Sequence, residues 1–270
     1  MLAFKPGNVS VHSAGHGMTA DDFLRSAELV APVIARPSLS VGKRILYSVV
    51  VTQREVGCNT NLGILLLCAP LVQAALFPFT GEGLQERLTH VLAALDQEDA
   101  RLVFQAIRLA APGGLGESEV HDVASEPTVG LIEAMATAQH RDRIAHQYVR
   151  DFEDIFTIGL PCLRSWGSHD GDLEAAIVAC YLRFLAAFPD SHVQRKFGVE
   201  KAEEVRQAAQ RVETEYKACE NLAAAALLHD FDKKLKQGGI NPGTSADLTV
   251  ASLLAYHLEN LLSHGAAVVN

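Results

Sequence analysis

Apolar residues recur at helical spacing from one end of this chain to the other. Behind Ser40, a residue suited to cap a helix, Ile45, Val49 and Val56 step i, i+4 and i+11, with semi-polar Thr52 in the intervening place. Leu173, Ile177, Tyr181, Phe184 and Phe188 form a second stripe; Ala251, Leu254, Leu258, Leu261 and Leu262 form a third. Val205, Ala209, Val212, Tyr216 and Cys219 keep the period without a gap, while Glu203, Glu204, Arg206, Arg211 and Glu213 fall on other faces. Thr19 with Asp22, and Asp96 with Asp99, have the spacing of N-terminal capping pairs, although Asp is a weaker partner than Glu at that place. Val9-Ser10-Val11 is too short an alternation to define a strand. The pattern predicts an all-α protein of roughly nine or ten packed helices.

Residues 56–81 contain no charge, which raises the question of a membrane. Their apolar centre, 62–79, is broken by Pro70, Gln73 and Pro78 and stands alone, so it predicts a buried core helix over 62–76 with no membrane partner. Composition agrees with the helical reading. Hydrophobic residues make up 49% of the 270, but only 6% are aromatic, and the apolar mass is Ala, Leu and Val. Twenty-three Lys and Arg against 32 Asp and Glu give a net charge of −9, which lacks the basic footprint of a nucleic-acid binder. Cys58, Cys68, Cys162, Cys180 and Cys219 are scattered and form no C-x-x-C pair, so neither a disulfide framework nor a zinc site is expected. With no apolar leader at residues 1–7, reduced thiols in a cytoplasm fit best. No linker or internal repeat divides the chain, which predicts one domain over 1–270.

Three connectors have unusual composition: the polar entry at 4–17, the Gly- and acid-bearing stretch 112–127, and Gln-Gly-Gly-Ile-Asn-Pro-Gly-Thr-Ser at 237–245. Gly57-Cys58-Asn59-Thr60-Asn61-Leu62-Gly63 sets more small polar residues before the apolar helix than one cap requires, and free N–H groups at a helix start attract an anion. Asn241-Pro242-Gly243-Thr244-Ser245-Ala246-Asp247 repeats that arrangement. Asp247 in a first turn either complements the helix dipole or holds Mg²⁺ against phosphates drawn to the same end. Asp190-Ser191-His192-Val193-Gln194-Arg195-Lys196 joins an acid, an imidazole and two cations, though on composition alone a plain helix start after Pro189 with a solvated Arg-Lys pair is the favoured reading. Arg141-Asp142-Arg143 reads as an ordinary charged helix face. His12 and His16 are weak as metal ligands, because Gly15 and Gly17 discourage the helix they would have to share. His-Asp pairs at His121-Asp122, His169-Asp170 and His229-Asp230 raise a helical metal phosphohydrolase as an alternative, but leave both glycine-bearing helix starts without a role.

Taken in order, Lys5-Pro6-Gly7-Asn8-Val9 with His16 and Met18, the Asn59-Thr60-Asn61 segment, Asp190 with Arg195 and Gly198, and the Asn241-to-Asp247 motif resemble the triphosphoribosyl-dephospho-CoA synthase family over nearly the whole chain. That family is all-helical. The resemblance implies an enzyme that cleaves the N-glycosidic bond of ATP, releases adenine, and passes the 5-triphosphoribosyl group to an acceptor hydroxyl, the 2′-OH of dephospho-CoA. Attack opposite adenine would invert the anomeric carbon. On this basis the phosphates fall to Lys5, Asn59, Thr60, Asn61, Arg195, Lys196, Asn241, Thr244 and Ser245. Mg²⁺ falls to Asp190 and Asp247, and general-base work to Asp122, with His192 second. Gly17 stands where the family carries an acid, and the segments after Asp190 and Arg195 vary its pattern. Such variants are similar to homologues encoded with genes for tetrahydromethanopterin-type cofactors, so a pterin precursor is an alternative acceptor, and dephospho-CoA is then expected to be a poor substrate. A helical protein that binds a nucleotide or cofactor without turnover is a further alternative, and homo-oligomer formation is left open.

Overall fold

The helix starts follow from local capping. In the computed structural model, which describes residues 3–11, 13–77, 83–113, 120–167, 173–218 and 221–266, Thr19 and Asp22 form a reciprocal capping box at α1 (Ala20–Ile34). Ser40 caps α2 (Val41–Glu55) by accepting the Lys43 N–H. Asp96 caps α5 (Gln97–Ala110) through the Asp99 N–H, but nothing is returned: the Asp99 carboxylate accepts from the Gly42 N–H at 2.8 Å and ties α5 to α2 instead. Asp22 shows that Asp is long enough to close the box; at Asp99 the Gly42 N–H takes the carboxylate instead.

The uncharged stretch is α3 (Leu62–Leu76), most of it buried. Two of its three interruptions have structural partners. Pro70 has no N–H for the Leu66 carbonyl four residues back, and the Tyr148 hydroxyl donates to that carbonyl at 2.6 Å. Gln73 accepts from Nε of fully buried Arg44 at 2.9 Å. The third, Pro78, lies outside the described residues. No helix among the described residues is long and apolar enough to cross a membrane.

The remaining helices are α4 (Leu84–Ala93), α6 (Leu131–Ala138), α7 (Arg143–Val149), α8 (Leu160–Gly167), α9 (Leu173–Ala187), α10 (Ser191–Phe197), α11 (Val199–Ala218), α12 (Asn221–Gln237) and α13 (Gly243–Ala266). A π-helical turn, Ile155–Gly159, precedes α8. Thirteen α-helices among the described residues exceed the nine or ten expected. The excess lies in α6, α7, α8 and α10, each of seven or eight residues, too short for a periodic stripe to register. The described residues contain no strand; Ser10–Ser13 and Gly15–Met18 are isolated bridges.

Two apolar clusters form the core. The larger gathers Ile45, Leu65, Leu71, Leu88 and Val103 around α2, α3, α4 and α5. The other joins Tyr181, Leu185, Ala209 and Phe231 of α9, α11 and α12. The Val205-to-Tyr216 stripe is buried as predicted, and Cys219 lies outside the described residues. Thr52 is buried too, its hydroxyl accepting from Asn61 at 3.1 Å, so the polar gap in its stripe is filled. Leu173 and Leu261 are exposed, because those stripes run past the core at the helix ends. α13 packs against α3 and α9, bringing the starts of α3, α10 and α13 toward one another.

Candidate functional site

A cavity of about 420 Å³ lies where these helix starts meet the entry segment and the α5–α6 wall. The entry segment is polar in sequence, yet Phe4, Lys5, Asn8, Val9 and Ser10 are buried. Lys5 borders the cavity and donates to the Ala3 carbonyl at 3.3 Å. Burial pulls its pKa down to about 8, against the pull of Glu174. His16 takes a left-handed backbone (φ 56°) and donates from Nε2 to the Gly7 carbonyl at 2.9 Å. His12 lies outside the described residues.

At the start of α3, Asn59 accepts the Leu62 N–H at 3.1 Å and so does the capping. Thr60 shares a 2.5 Å bond with Ser26, and Asn61 donates to Thr52. All three border the cavity, as do half-buried Gly63 and Ile64 in the first turn. Gly63 is required by its neighbour: a Cβ there would stand 2.0 Å from Asp247 Oδ2.

Asp247 is the fifth residue of α13, one beyond the first turn in which the sequence pattern placed it. Its carboxylate accepts no hydrogen bond among the described residues. Burial pushes its pKa well above the carboxylate range, helped by Asp190 and Asp142 and opposed by Arg195. Arg195 donates from Nη1 to Asp142 Oδ2 at 2.5 Å, while its Nε is buried without a partner. Asn241 Oδ1 is likewise buried and unpartnered. Orphaned polar atoms of this kind, in a cavity wall, are what a polar ligand would satisfy. His192 is held as the neutral imidazole: burial, then Arg195, Lys196 and His16, bring its pKa down to about 4. Lys196 is exposed on the rim. Asp122 borders the cavity, with Oδ1 accepting the Ala124 N–H at 2.8 Å.

Three expected ligands are not in the wall. Asp190 is fully buried. Its Oδ1 accepts the N–H groups of His192 and Val193 at 2.9 and 3.1 Å, and its Oδ2 accepts from Ser245 N–H and Oγ at 2.7 and 2.8 Å. Thr244 Oγ1 accepts from the His192 N–H at 3.2 Å. The expected metal ligand Asp190 and phosphate ligands Thr244 and Ser245 are therefore engaged in a joint between α10 and α13, Asp190 with Ser245 and Thr244 with the His192 backbone. The four acceptor sites of the Asp190 carboxylate are filled, and the Thr244 and Ser245 hydroxyls lie in this joint rather than in the cavity wall.

Other residues escaped the sequence reading. Asp142, taken as a plain charged face, caps α7 through the Ile144 and Ala145 N–H groups and clamps Arg195 across 53 residues. Its place directly before a helix was a visible signal for the cap; nothing local announced the clamp. Arg143 turns away, forked onto Asp154 at 2.7 Å and lying 4.3 Å over the Phe188 ring. Phe104 and Ile107 of α5 and Met135 and Ala138 of α6 form an apolar wall that periodicity reads simply as core.

For Mg²⁺, the described residues contain no cluster of three His, Cys, Asp or Glu placed to hold a metal by themselves. An unpartnered carboxylate in a buried acidic setting, with phosphate oxygens and water completing six ligands, still matches how Mg²⁺ accompanies nucleotides. The two described His-Asp pairs do not converge: His121-Asp122 is at the cavity, whereas the His229 ring lies tilted against Phe4 with centroids 4.6 Å apart; His169-Asp170 lies outside the described residues.

Compared with known families, residues 1–265 match the model of the ATP:dephospho-CoA triphosphoribosyl transferases. Among solved structures the chain is similar to one from Archaeoglobus fulgidus, described as a candidate triphosphoribosyl-dephospho-CoA synthase. The two are 27% identical, with a TM-score of 0.67 over 88% of this chain and 99% of that one. A comparison with curated proteins found no match.

Proposed function

The chain belongs to the ATP:dephospho-CoA triphosphoribosyl transferase family, and from that premise we propose that the cavity transfers the 5-triphosphoribosyl group of ATP to a hydroxyl of dephospho-CoA with release of adenine. One observation carries the reading to this site: Arg195 Nε, buried and unpartnered, lies in the same wall as Lys5, Asn59, Thr60, Asn61 and Asp247. An unpaired buried guanidinium N–H calls for an anion, and a polyphosphate is the anion the family supplies.

In this assignment Lys5, Arg195, Lys196 and the α3 start hold the triphosphate, with Asn241 beside them. Mg²⁺, when bound with ATP, would neutralise phosphate charge. Asp247 is the carboxylate left to hold it, with Asp142 nearby, whereas Asp190 serves the scaffold. As adenine leaves, the ribose gains oxocarbenium character, and the carboxylates around the cavity favour that positive charge. Asp122 accepts the acceptor hydroxyl's proton, with His192 as the second choice. A neutral imidazole is the protonation state a base requires. Attack from the face opposite adenine inverts the anomeric carbon.

The test is incubation with ATP and Mg²⁺, with and without dephospho-CoA, followed by separation of the purine products. Adenine release dependent on dephospho-CoA is expected. Inorganic phosphate as the product would favour hydrolase chemistry, and tight binding without products a binding protein. Adenine release with pterin precursors alone would move the acceptor to the tetrahydromethanopterin-type reading, which the family match does not favour.

A further inference from the structure

Residues 4–10 form no helix, yet they are buried, and ordering each such backbone residue costs about 1–2 kcal/mol. Two side chains outside the cavity hold the segment. Asp232 on α12 is buried, accepts the Gly7 N–H at 2.7 Å and the Ser13 hydroxyl at 3.1 Å, and pairs with Lys236 at 3.2 Å. Tyr181 on α9 is fully buried, donates to the Pro6 carbonyl at 2.5 Å and accepts from Asn8 Nδ2 at 3.2 Å. Asn8 also reaches the Pro242 carbonyl at 3.4 Å. Gly7 permits this interlock: it sits at φ 83°, and a Cβ would come 2.7 Å from Pro242 Cδ and 3.0 Å from Leu235 Cδ1. The Lys5-to-Asn8 and Asn241-to-Gly243 turns therefore key into each other, with Asp232 and Tyr181 bonding to the backbone between Lys5 and Asn8.

Lys5 and Asn8 are in the cavity wall; Asp232 and Tyr181 are not. We propose that Asp232 and Tyr181 are positioning residues, fixing the entry segment so that Lys5 and Asn8 meet the donor's phosphates. The proposal rests on the assignment of the cavity to ATP. A carboxylate buried this deeply is costly unless its bonds return something, and what it bonds is the backbone that carries a cavity-lining cation. Small misplacement of a binding group costs one to two orders of magnitude in rate or affinity.

The experiment compares Asp232→Ala, Asp232→Asn, Tyr181→Phe and Lys5→Met in the full chain, with KM for ATP, kcat and Tm measured on each. Asp232→Ala and Tyr181→Phe are expected to raise KM for ATP about tenfold, with kcat changing less. Asp232→Asn should recover most of the loss, since its Oδ1 still accepts the Gly7 N–H and its Nδ2 can donate to Ser13. A merely structural role would lower Tm and leave KM within twofold in both variants, which overturns the proposal. Asp232→Asn as defective as Asp232→Ala would also overturn it, by assigning the effect to the charge facing Lys236. If Asp232→Ala does not fold, Tyr181→Phe, which removes only a hydroxyl, decides. Lys5→Met separates the two levels. Unchanged KM in Lys5→Met defeats the ATP assignment of this segment, and the positioning claim with it. Raised KM in Lys5→Met, with Asp232→Ala and Tyr181→Phe normal, defeats the positioning claim alone.

Discussion

The starts of α3 and α13 share a vocabulary, small polar residues bracketed by glycine, and put it to opposite uses. At α3, Asn59 spends one oxygen on a cap, and the segment remains in the cavity wall. At α13, Thr244 and Ser245 meet the α10 backbone and Asp190 and stand outside the cavity wall. Residue type at a helix N-terminus therefore offers two outcomes. The choice between ligand and scaffold depends on whether a complementary partner arrives from elsewhere in the chain. Asp247, two residues after Ser245, lacks such a partner and returns to the ligand side.

The largest effect should come from breaking the scaffold. Asp190→Ala strands the Val193 and Ser245 N–H groups and the Ser245 hydroxyl, while the His192 N–H keeps Thr244; each stranded donor is worth about 1–3 kcal/mol and the losses are not fully additive. The expected loss is about 3–5 kcal/mol of folding stability in urea denaturation. Asn59→Ala removes a single cap and should cost only about 1 kcal/mol, while reducing the protection that ATP with Mg²⁺ gives against unfolding. Equal stability losses in the two variants would erase the distinction between the two helix starts.

Asp247→Asn sharpens it from the ligand side. Affinity for Mg²⁺-ATP should fall about 100-fold, roughly 2.7 kcal/mol, while the ligand-free protein becomes more stable at neutral pH. The folded carboxylate's pKa is raised well above its ordinary 3.8. Its stabilising contribution is therefore present below that value and lost as pH rises through the raised one. The Asn variant should gain on the native protein as pH climbs from about 4, read by thermal melts across pH. A variant less stable than the native protein at pH 7 would make Asp247 another scaffold residue.

His192 gives the opposite slope. Its pKa falls from 6.5 to about 4 in the folded chain. On acidification the unfolded state takes up the proton first, and stability is lost between those two values. His192→Gln should flatten the melting-temperature profile in that window relative to the native protein. Superimposable profiles would mean that the imidazole is not buried against Arg195 and Lys196 as described.

What was legible in the chain tracks the range of the interactions. Thr19 with Asp22, Ser40, and the limits of the apolar helix α3 are settled within a few residues, and periodicity and capping chemistry find them. Asp190 with Ser245 is a contact across 55 residues and Asp142 with Arg195 one across 53. No local pattern distinguishes such a carboxylate from one that holds a metal or lies in solvent. The apolar wall was hidden for a related reason: Phe104 and Met135 face a cavity from helix stripes that look the same when they face other side chains. Resemblance to the family treats Asp190 and Asp247 alike; the four hydrogen bonds that fill Asp190 set it apart from Asp247.

The smallest expected effect lies between neighbouring cations. Arg195 is held by Asp142 with a buried Nε left over, whereas Lys196 next to it is exposed on the rim. A solvated ammonium attracts phosphate through water and screening salt, worth about 0.2–1 kcal/mol. Lys196→Met should therefore weaken ATP binding only about two- to fivefold, and the difference should vanish as salt rises toward 1 M, where the screening length is about 3 Å. Arg195→Met loses a desolvated, charge-assisted donor and leaves Asp142 without its cation. Its deficit should be larger and should persist at high salt. Titrations of ATP against both variants at low and high ionic strength measure this directly. A Lys196 deficit that matched that of Arg195 and resisted salt would place the phosphates at the rim rather than within the cavity.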